Sequence, residues 1–329
     1  MNLWPTQSRQ PIWEARTLER LQFERSLALG CAIESTTASA YVSHLNSYLN
    51  FCRLHHRAVE PTEDTLSFFV VWLSHHIEPC SVDSYLSGIV NHLETHFPHV
   101  REVRKSLLVT CTLKGCKRRL SKSIQRKQPL TLDDLALVVD ALGPSKAYDD
   151  MLFVTLLVTS FKTLQRLAEL CWPNAKKHQS YRKVPLRHSL TLTRNSASYV
   201  LPHHKTSTLR VGCEILLLGE PDARVDPLEL LRRYVAACDN LFPHHPHLWL
   251  AATGTIPTRA WFMCYLWRFF LPTVSGHSMR GGGATALAAS GIAPALIQAA
   301  GRWSSDEFQK YICKHPFLLH LLIHGSQNL

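Results

Sequence analysis

The chain runs to 329 residues, 46% hydrophobic and 19% charged, a length that suits two domains and a composition that excludes disordered, collagen-like and coiled-coil chains. Lys and Arg outnumber Asp and Glu by 36 to 25, a formal net charge of +11. Residues 101–127 hold ten of those basic groups against the single acid Glu102, so this segment favours a polyanionic partner such as nucleic acid over a solvated helix face.

The longest apolar stretch, residues 151–161, is too short to span a bilayer, and no apolar signal core stands at the N-terminus. The expectation is a protein that neither crosses a membrane nor is secreted by an obvious route. Ten cysteines are scattered beside Leu, Ala and Val and read as reduced core thiols. Cys111 and Cys116, the closest pair, lack a second Cys or His pair to complete a zinc site. No metal and no cofactor are expected.

The first 116 residues read as a small helical bundle. Residues 35–53 place Tyr41, Leu45, Tyr48, Leu49 and Cys52 on one helical face, with Ser35, Thr36 and Thr37 as candidate N-caps. Pro61 opens a second helix through Phe68, Phe69, Val71, Trp72 and Ile77, and Pro79 separates it from a third. That third helix shows the cleanest period of the chain, Val82, Tyr85, Leu86, Ile89, Val90 and Leu93. A fourth is predicted over residues 102–114. Residues 117–129 (KRRLSKSIQRKQP) combine dense charge, two serines and a closing proline, the signature of a basic interdomain linker.

A second domain, residues 130–329, follows. Thr131 and Asp134 stand in capping-box spacing ahead of an amphipathic helix, with Asp in place of the usual Glu or Gln. A buried helix is predicted over residues 150–172. The period then changes: residues 189–192, 198–201 and 211–218 are short β-rich runs between turn residues, which predicts a small antiparallel sheet. Helices return from Pro227, including an aromatic-rich one through Trp261, Phe262, Tyr265, Trp267 and Phe269 that reads as core.

Four places in this domain carry chemistry. Arg166 lies in an apolar helical stretch where a buried guanidinium is costly unless paired, and Glu169, three residues on, shares its helical face and can orient it. Lys205 follows one β-run and precedes Thr206 and Ser207, at the tip of a hairpin, with His203 and His204 beside it. His277 and Arg280 form a His-x-x-Arg pair at a helix start, after Ser275 and Gly276; Gly281, Gly282 and Gly283 behind them let another backbone approach closely. Finally Gly301, Arg302 and Trp303 precede Tyr311, on a helix that ends before Pro316. His244, His245 and His247 read as surface residues or phosphate neighbours rather than metal ligands.

The order Arg166, Lys205, His277-x-x-Arg280, Gly301-Arg302-Trp303, Tyr311 resembles the catalytic domain of tyrosine recombinases, the phage-integrase class. The resemblance spans the chain, because such enzymes have an N-terminal helical core-binding domain, a basic linker and an α+β catalytic domain. The wording HSMRGGGATA followed by GRWSSD is similar to the recombinases of eukaryotic mobile elements, the Crypton and DIRS type. One departure stands: relatives mostly carry His or Trp directly after the glycine, nine residues before the tyrosine. Here that register belongs to Arg302, whereas Trp303 is eight residues before Tyr311. Arg302 as a phosphate donor and Trp303 as a packing support for His277 or Arg280 both remain open.

The resemblance implies a site-specific recombinase or transposase acting on double-stranded DNA through a 3′-phosphotyrosyl intermediate, without metal or ATP. Two guanidiniums, Arg166 and Arg280, would neutralise the extra charge on the non-bridging oxygens with forked donors. Tyr311 would be the nucleophile, Lys205 the general acid towards the leaving 5′-oxygen, and His277 a base or phosphate donor. Lys117, Arg118, Arg119, Lys122, Arg126, Lys127, His203 and His204 are the expected DNA contacts. The resemblance also implies a homo-oligomer, a dimer on one site and a tetramer in the synaptic complex, joined through the apolar residues 316–325, and nuclear localisation in a eukaryotic cell. A type IB topoisomerase uses a similar residue set, but the helical N-terminal domain and the His-x-x-Arg order favour the recombinase. A catalytically silent DNA-binding protein derived from a mobile element is the remaining alternative, and the intact Tyr311, Lys205 and arginines speak against it.

Overall fold

The computed structural model describes residues 14–122, 127–202 and 212–303. The protein is mainly α-helical with one three-stranded antiparallel sheet, and it divides into two compact units at residues 124/125.

The first unit is helical throughout its described residues. Helix α1 (Leu18–Gly30) is one the sequence reading does not assign: Thr17 caps it, and none of its residues is buried, so it lacks the one-sided apolar stripe that marks a packed helix. Helix α2 (Ser35–Leu54) matches the predicted span, but its N-cap is Glu34 with no side-chain cap bond, not Ser35, Thr36 or Thr37. Helix α3 (Glu63–Ser74) starts behind Thr62, whose hydroxyl accepts from Thr65 N. Pro79 is the first residue of α4 (Pro79–Leu93), where its missing N–H costs nothing. The predicted fourth helix is two: α5 (Val100–Lys105) and α6 (Leu107–Leu120). Ser106 separates them because its hydroxyl accepts from Val109 N and so caps α6. Tyr48, Phe69, Val82, Ile89 and Val109 meet in the core of this unit, each fully buried.

The second unit begins with α7 (Leu132–Leu142). Thr131 Oγ1 accepts from Asp134 N at 3.1 Å and Asp134 Oδ2 from Thr131 N at 2.8 Å, so the shorter aspartate closes the capping box as predicted. Helix α8 (Tyr148–Lys162) is buried at every position from Leu152 to Phe161. It ends ten residues before the predicted limit. Thr163 turns its hydroxyl back to Thr159 O at 2.6 Å, and Leu164 takes a left-handed backbone, φ +53°. Such a conformation costs a leucine about 1–2 kcal/mol. Full burial of Leu164 against Ala284 and Ile297 offsets it. The short α9 (Leu167–Leu170) follows.

Strands β1 (Thr191–Leu192), β2 (Ser196–Leu201) and β3 (Cys213–Leu218) pair antiparallel in that order, with Tyr199 opposite Ile215. Alternation holds: Ala197, Tyr199, Leu201, Ile215 and Leu217 point inward, while Leu216 and Leu218 are exposed. Helices α10 (Pro227–Leu241), α11 (Arg259–Leu266), α12 (Gly276–Ala289) and α13 (Pro294–Gly301) complete the unit. Phe262 of the aromatic helix is core as expected, but Trp267 follows its end and is half exposed. Helix α12 packs on α8 through its glycines. A methyl group on Gly282 would stand 2.0 Å from Leu130 O, and one on Gly283 2.1 Å from Phe161 O. Cys52, Cys116, Cys171 and Cys238 are core thiols; Cys31, Cys80, Cys111 and Cys264 are exposed, against the reading of all as core.

Candidate active site

Three arginines distant in sequence converge in the second unit. Arg166 is not inside a helix, as the sequence reading had it; it is the N-cap of α9, with extended backbone at φ −77°, ψ 140°. Glu169, at the third position of that helix, reaches back: Oε2 accepts from Arg166 N at 3.0 Å and Oε1 from Arg166 Nη1 at 3.0 Å. The carboxylate thus fixes both the main chain and the guanidinium of Arg166. The left-handed turn at Leu164 is what brings Arg166 into this position, a feature that local helical periodicity does not encode.

Glu169 also accepts Arg302 Nη2 on Oε2, at 3.0 Å. Arg302 caps α13 with left-handed backbone, φ 56°, ψ 42°, which turns its side chain back towards α9. A carboxylate 5% exposed needs such partners, because an unpaired buried charge costs several kcal/mol. Among the described residues two guanidiniums share this one carboxylate, leaving excess positive charge at the site.

Arg280, from the second turn of α12, is 2% exposed. Its Nη1 donates to Leu164 O at 2.6 Å and its Nη2 to Gly301 O, the carbonyls two residues before Arg166 and one before Arg302. The Trp303 ring covers the guanidinium carbon at 3.9 Å, a cation–π stack. Trp303 therefore packs against Arg280, one of the two partners expected for it, and Arg302 reaches Glu169. No side chain other than hydrogen fits at Gly301, since a Cβ there would overlap the Trp303 ring.

His277 is exposed on the first turn of α12, its backbone N–H accepted by Ser275 Oγ at 3.4 Å; Ser278 Oγ in turn accepts from Ser275 N at 2.9 Å. Lys205, His203, His204, Arg126 and Tyr311 lie outside the described residues. Strands β2 and β3, on either side of Lys205 in the chain, are antiparallel neighbours. Lys117, Arg118 and Arg119 form the last turn of α6 rather than an extended linker, Arg118 and Arg119 being exposed. Lys122 is exposed, and Lys127 Nζ donates to Pro272 O at 2.9 Å. His247 is not a surface residue: it is 6% exposed against Tyr181, and burial lowers its pKa.

Behind Arg166 lies a pair the sequence reading missed. Gln165 and Tyr199 are both fully buried, and Tyr199 Oη donates to Gln165 Oε1 at 2.6 Å. Ser160 clamps the Gln165 main chain from both sides, at 3.1 and 3.0 Å. Burial pushes the Tyr199 phenol pKa up. The inward parity of Tyr199 in the strand was readable; its partner was not. Among the described residues no group of three or more His, Cys, Asp or Glu could hold a metal ion, and no helix is long and apolar enough to cross a membrane.

This arrangement of helices and sheet has the fold of the tyrosine recombinases. Three solved structures carry the comparison. The XerH site-specific recombinase, bound to a palindromic difH substrate in a post-cleavage complex, aligns with TM-score 0.53 at 15% identity, over 80% of this chain and 71% of that one. The Tn1549 transposon integrase, in complex with circular intermediate DNA, gives 0.53 at 12%, over 89% and 93%. A lambda integrase tetramer bound to a Holliday junction gives 0.52 at 14%, over 89% and 76%. No family model matches the sequence, and no curated protein matches it.

Proposed function

We propose that this chain is a site-specific DNA recombinase that cleaves and rejoins duplex DNA through a 3′-phosphotyrosyl intermediate. The observation that carries the reading is the convergence of Arg166, Arg280 and Arg302 on the Leu164–Glu169 turn, in a fold shared with integrases whose structures hold DNA. In this reading Tyr311 Oη attacks the scissile phosphorus and its proton passes to His277. The bond from phosphorus to the 5′-oxygen breaks, and Lys205 supplies that oxygen with a proton. Arg166 and Arg280 hold the non-bridging oxygens, and Arg302 is a third donor steered by Glu169. The phosphotyrosyl ester conserves the energy of the broken bond, so rejoining by the reverse step needs neither metal nor ATP.

The HSMRGGGATA and GRWSSD wording supports a finer version, a mobile-element recombinase of the Crypton or DIRS kind acting in a eukaryotic nucleus. Lys117, Arg118, Arg119, Lys122, Arg126, Lys127, His203 and His204 would contact the DNA, and the protein would work as a dimer on one site and a tetramer at synapsis.

Covalent trapping on nicked DNA from a candidate element terminus tests the chemistry. Wild type should yield a protein–DNA adduct and Tyr311→Phe none, while both bind DNA equally; adduct persisting in Tyr311→Phe would overturn the assignment. Relaxation of a supercoiled plasmid without joining of two sites would identify a topoisomerase instead.

A further inference from the structure

Residues 171–213 contain eight Lys and Arg and not one Asp or Glu, a second basic run that the assignment of catalytic residues leaves almost untouched. Part of it is held rigidly on the start of α11. Trp172 O accepts from Arg259 N at 2.7 Å, Trp172 N donates to Pro257 O at 2.9 Å, and Asn174 Oδ1 accepts from Ala260 N at 2.8 Å. Gln179 Nε2 closes the loop onto Pro173 O at 2.9 Å, and the Tyr181 ring stands edge-on to Trp172 at 4.8 Å. The single 3-10 turns Lys176–His178 and Tyr181–Lys183 sit on this frame. Lys176, Lys177, Arg182 and Arg259 are exposed, and none makes an ion pair among the described residues. Arg187 of the same run differs: it is bound to Asp239 by two hydrogen bonds, 2.8 and 2.6 Å.

Arg259 joins this surface to the arginine site. Its Nη1 lies 3.2 Å from the point where a Cβ of Gly276 would stand, and Leu167, next to Arg166, lies 2.9 Å from the same point. Gly276 immediately precedes His277. A larger residue at Gly276 would displace the Arg259 guanidinium from the base of α12.

We propose that Lys176, Lys177, Arg182 and Arg259 form a DNA-backbone contact surface of the second unit, which holds duplex phosphates beside the arginine site. The inference rests on the recombinase reading. Duplex DNA fits better than an acidic peptide because the surface runs through Arg259 into a site built of guanidiniums. The ring of Tyr181, a residue 63% exposed, adds an apolar patch among the cations for the sugar edge. These groups would set how tightly DNA is held without discriminating sequence.

The test is binding of full-length protein to random-sequence duplex across a salt series. Lys176→Gln/Lys177→Gln/Arg182→Gln and, separately, Arg259→Gln should give a shallower salt dependence, by roughly 0.9 in log–log slope for each phosphate no longer neutralised. The charge-keeping Lys176→Arg/Lys177→Arg/Arg182→Lys should hold the wild-type slope, which separates the removal of charge from damage to folding. Wild-type slopes in the neutralised variants, alongside normal wild-type binding, would overturn this surface alone. Failure of the wild type to bind any duplex would overturn the recombinase reading and this surface with it. Equal affinity for polyglutamate and duplex would reassign the surface to acidic protein.

Discussion

At the scale of single residues, the site is organised by one buried carboxylate and one aromatic plate. Glu169 holds Arg166 and Arg302 together, so Glu169→Gln should leave two guanidiniums repelling each other and slow single-turnover cleavage with little change in DNA affinity. Trp303→Ala removes the plate over Arg280. A cation–π stack of about 0.5–2 kcal/mol predicts a cleavage rate down by roughly two- to thirtyfold, and Trp303→Phe should recover most of it. Equal rates in Trp303→Ala and wild type would show that the two main-chain carbonyls alone hold Arg280. Tyr199→Phe tests the support beneath: Gln165 would keep a buried amide with its closest donor removed, a loss of about 1–3 kcal/mol. Thermal unfolding of the second unit should shift down by about 2–4 °C for each kcal/mol.

Elements meet at the site because of where they stop. Helix α8 ends at Lys162, and the turn behind it delivers Arg166; α13 ends in a left-handed residue, which delivers Arg302. The glycines of α12 let that helix close on α8, bringing Arg280 within reach of Leu164 O. Gly283→Ala would place a methyl 2.1 Å from Phe161 O and force the helices apart, costing about 1–3 kcal/mol. Cleavage should fall further than stability, since Arg280 moves with α12. Ala289→Ser, at the exposed end of the same helix, should change neither; a Gly283→Ala protein of reduced stability but normal cleavage would mean that Arg280 finds its carbonyls without close packing.

For the whole molecule, residues 316–325 lie outside the described residues, and their six large apolar side chains (Phe317, Leu318, Leu319, Leu321, Leu322 and Ile323) are the reason to propose them as the link between protomers. Deletion after Lys314 should leave one-site binding intact and lower the yield of tetramer on two-site DNA by light scattering. Equal tetramer yield would sink the link, and unfolding of the truncated monomer would show that the segment packs on its own chain.

Much of the fold was legible because it is local. The four- and three-residue spacing of Val82, Leu86, Ile89 and Leu93, the Thr131–Asp134 box and the β-rich run at residues 198–201 each mark a regular element, and each element is present. Order and spacing singled out Arg166, His277, Arg280 and the Gly301–Trp303 motif as candidates, and the structure brings Arg166, Arg280 and Arg302 together. What spacing could not supply was the termination of α8, the split at Ser106, and α1, which buries nothing. It did not show either that Trp303 packs on Arg280 while Arg302 reaches Glu169, contacts that only the tertiary structure supplies. A left-handed turn and two main-chain carbonyl acceptors have no side-chain signature, because every residue carries a carbonyl and only packing decides which guanidinium meets it.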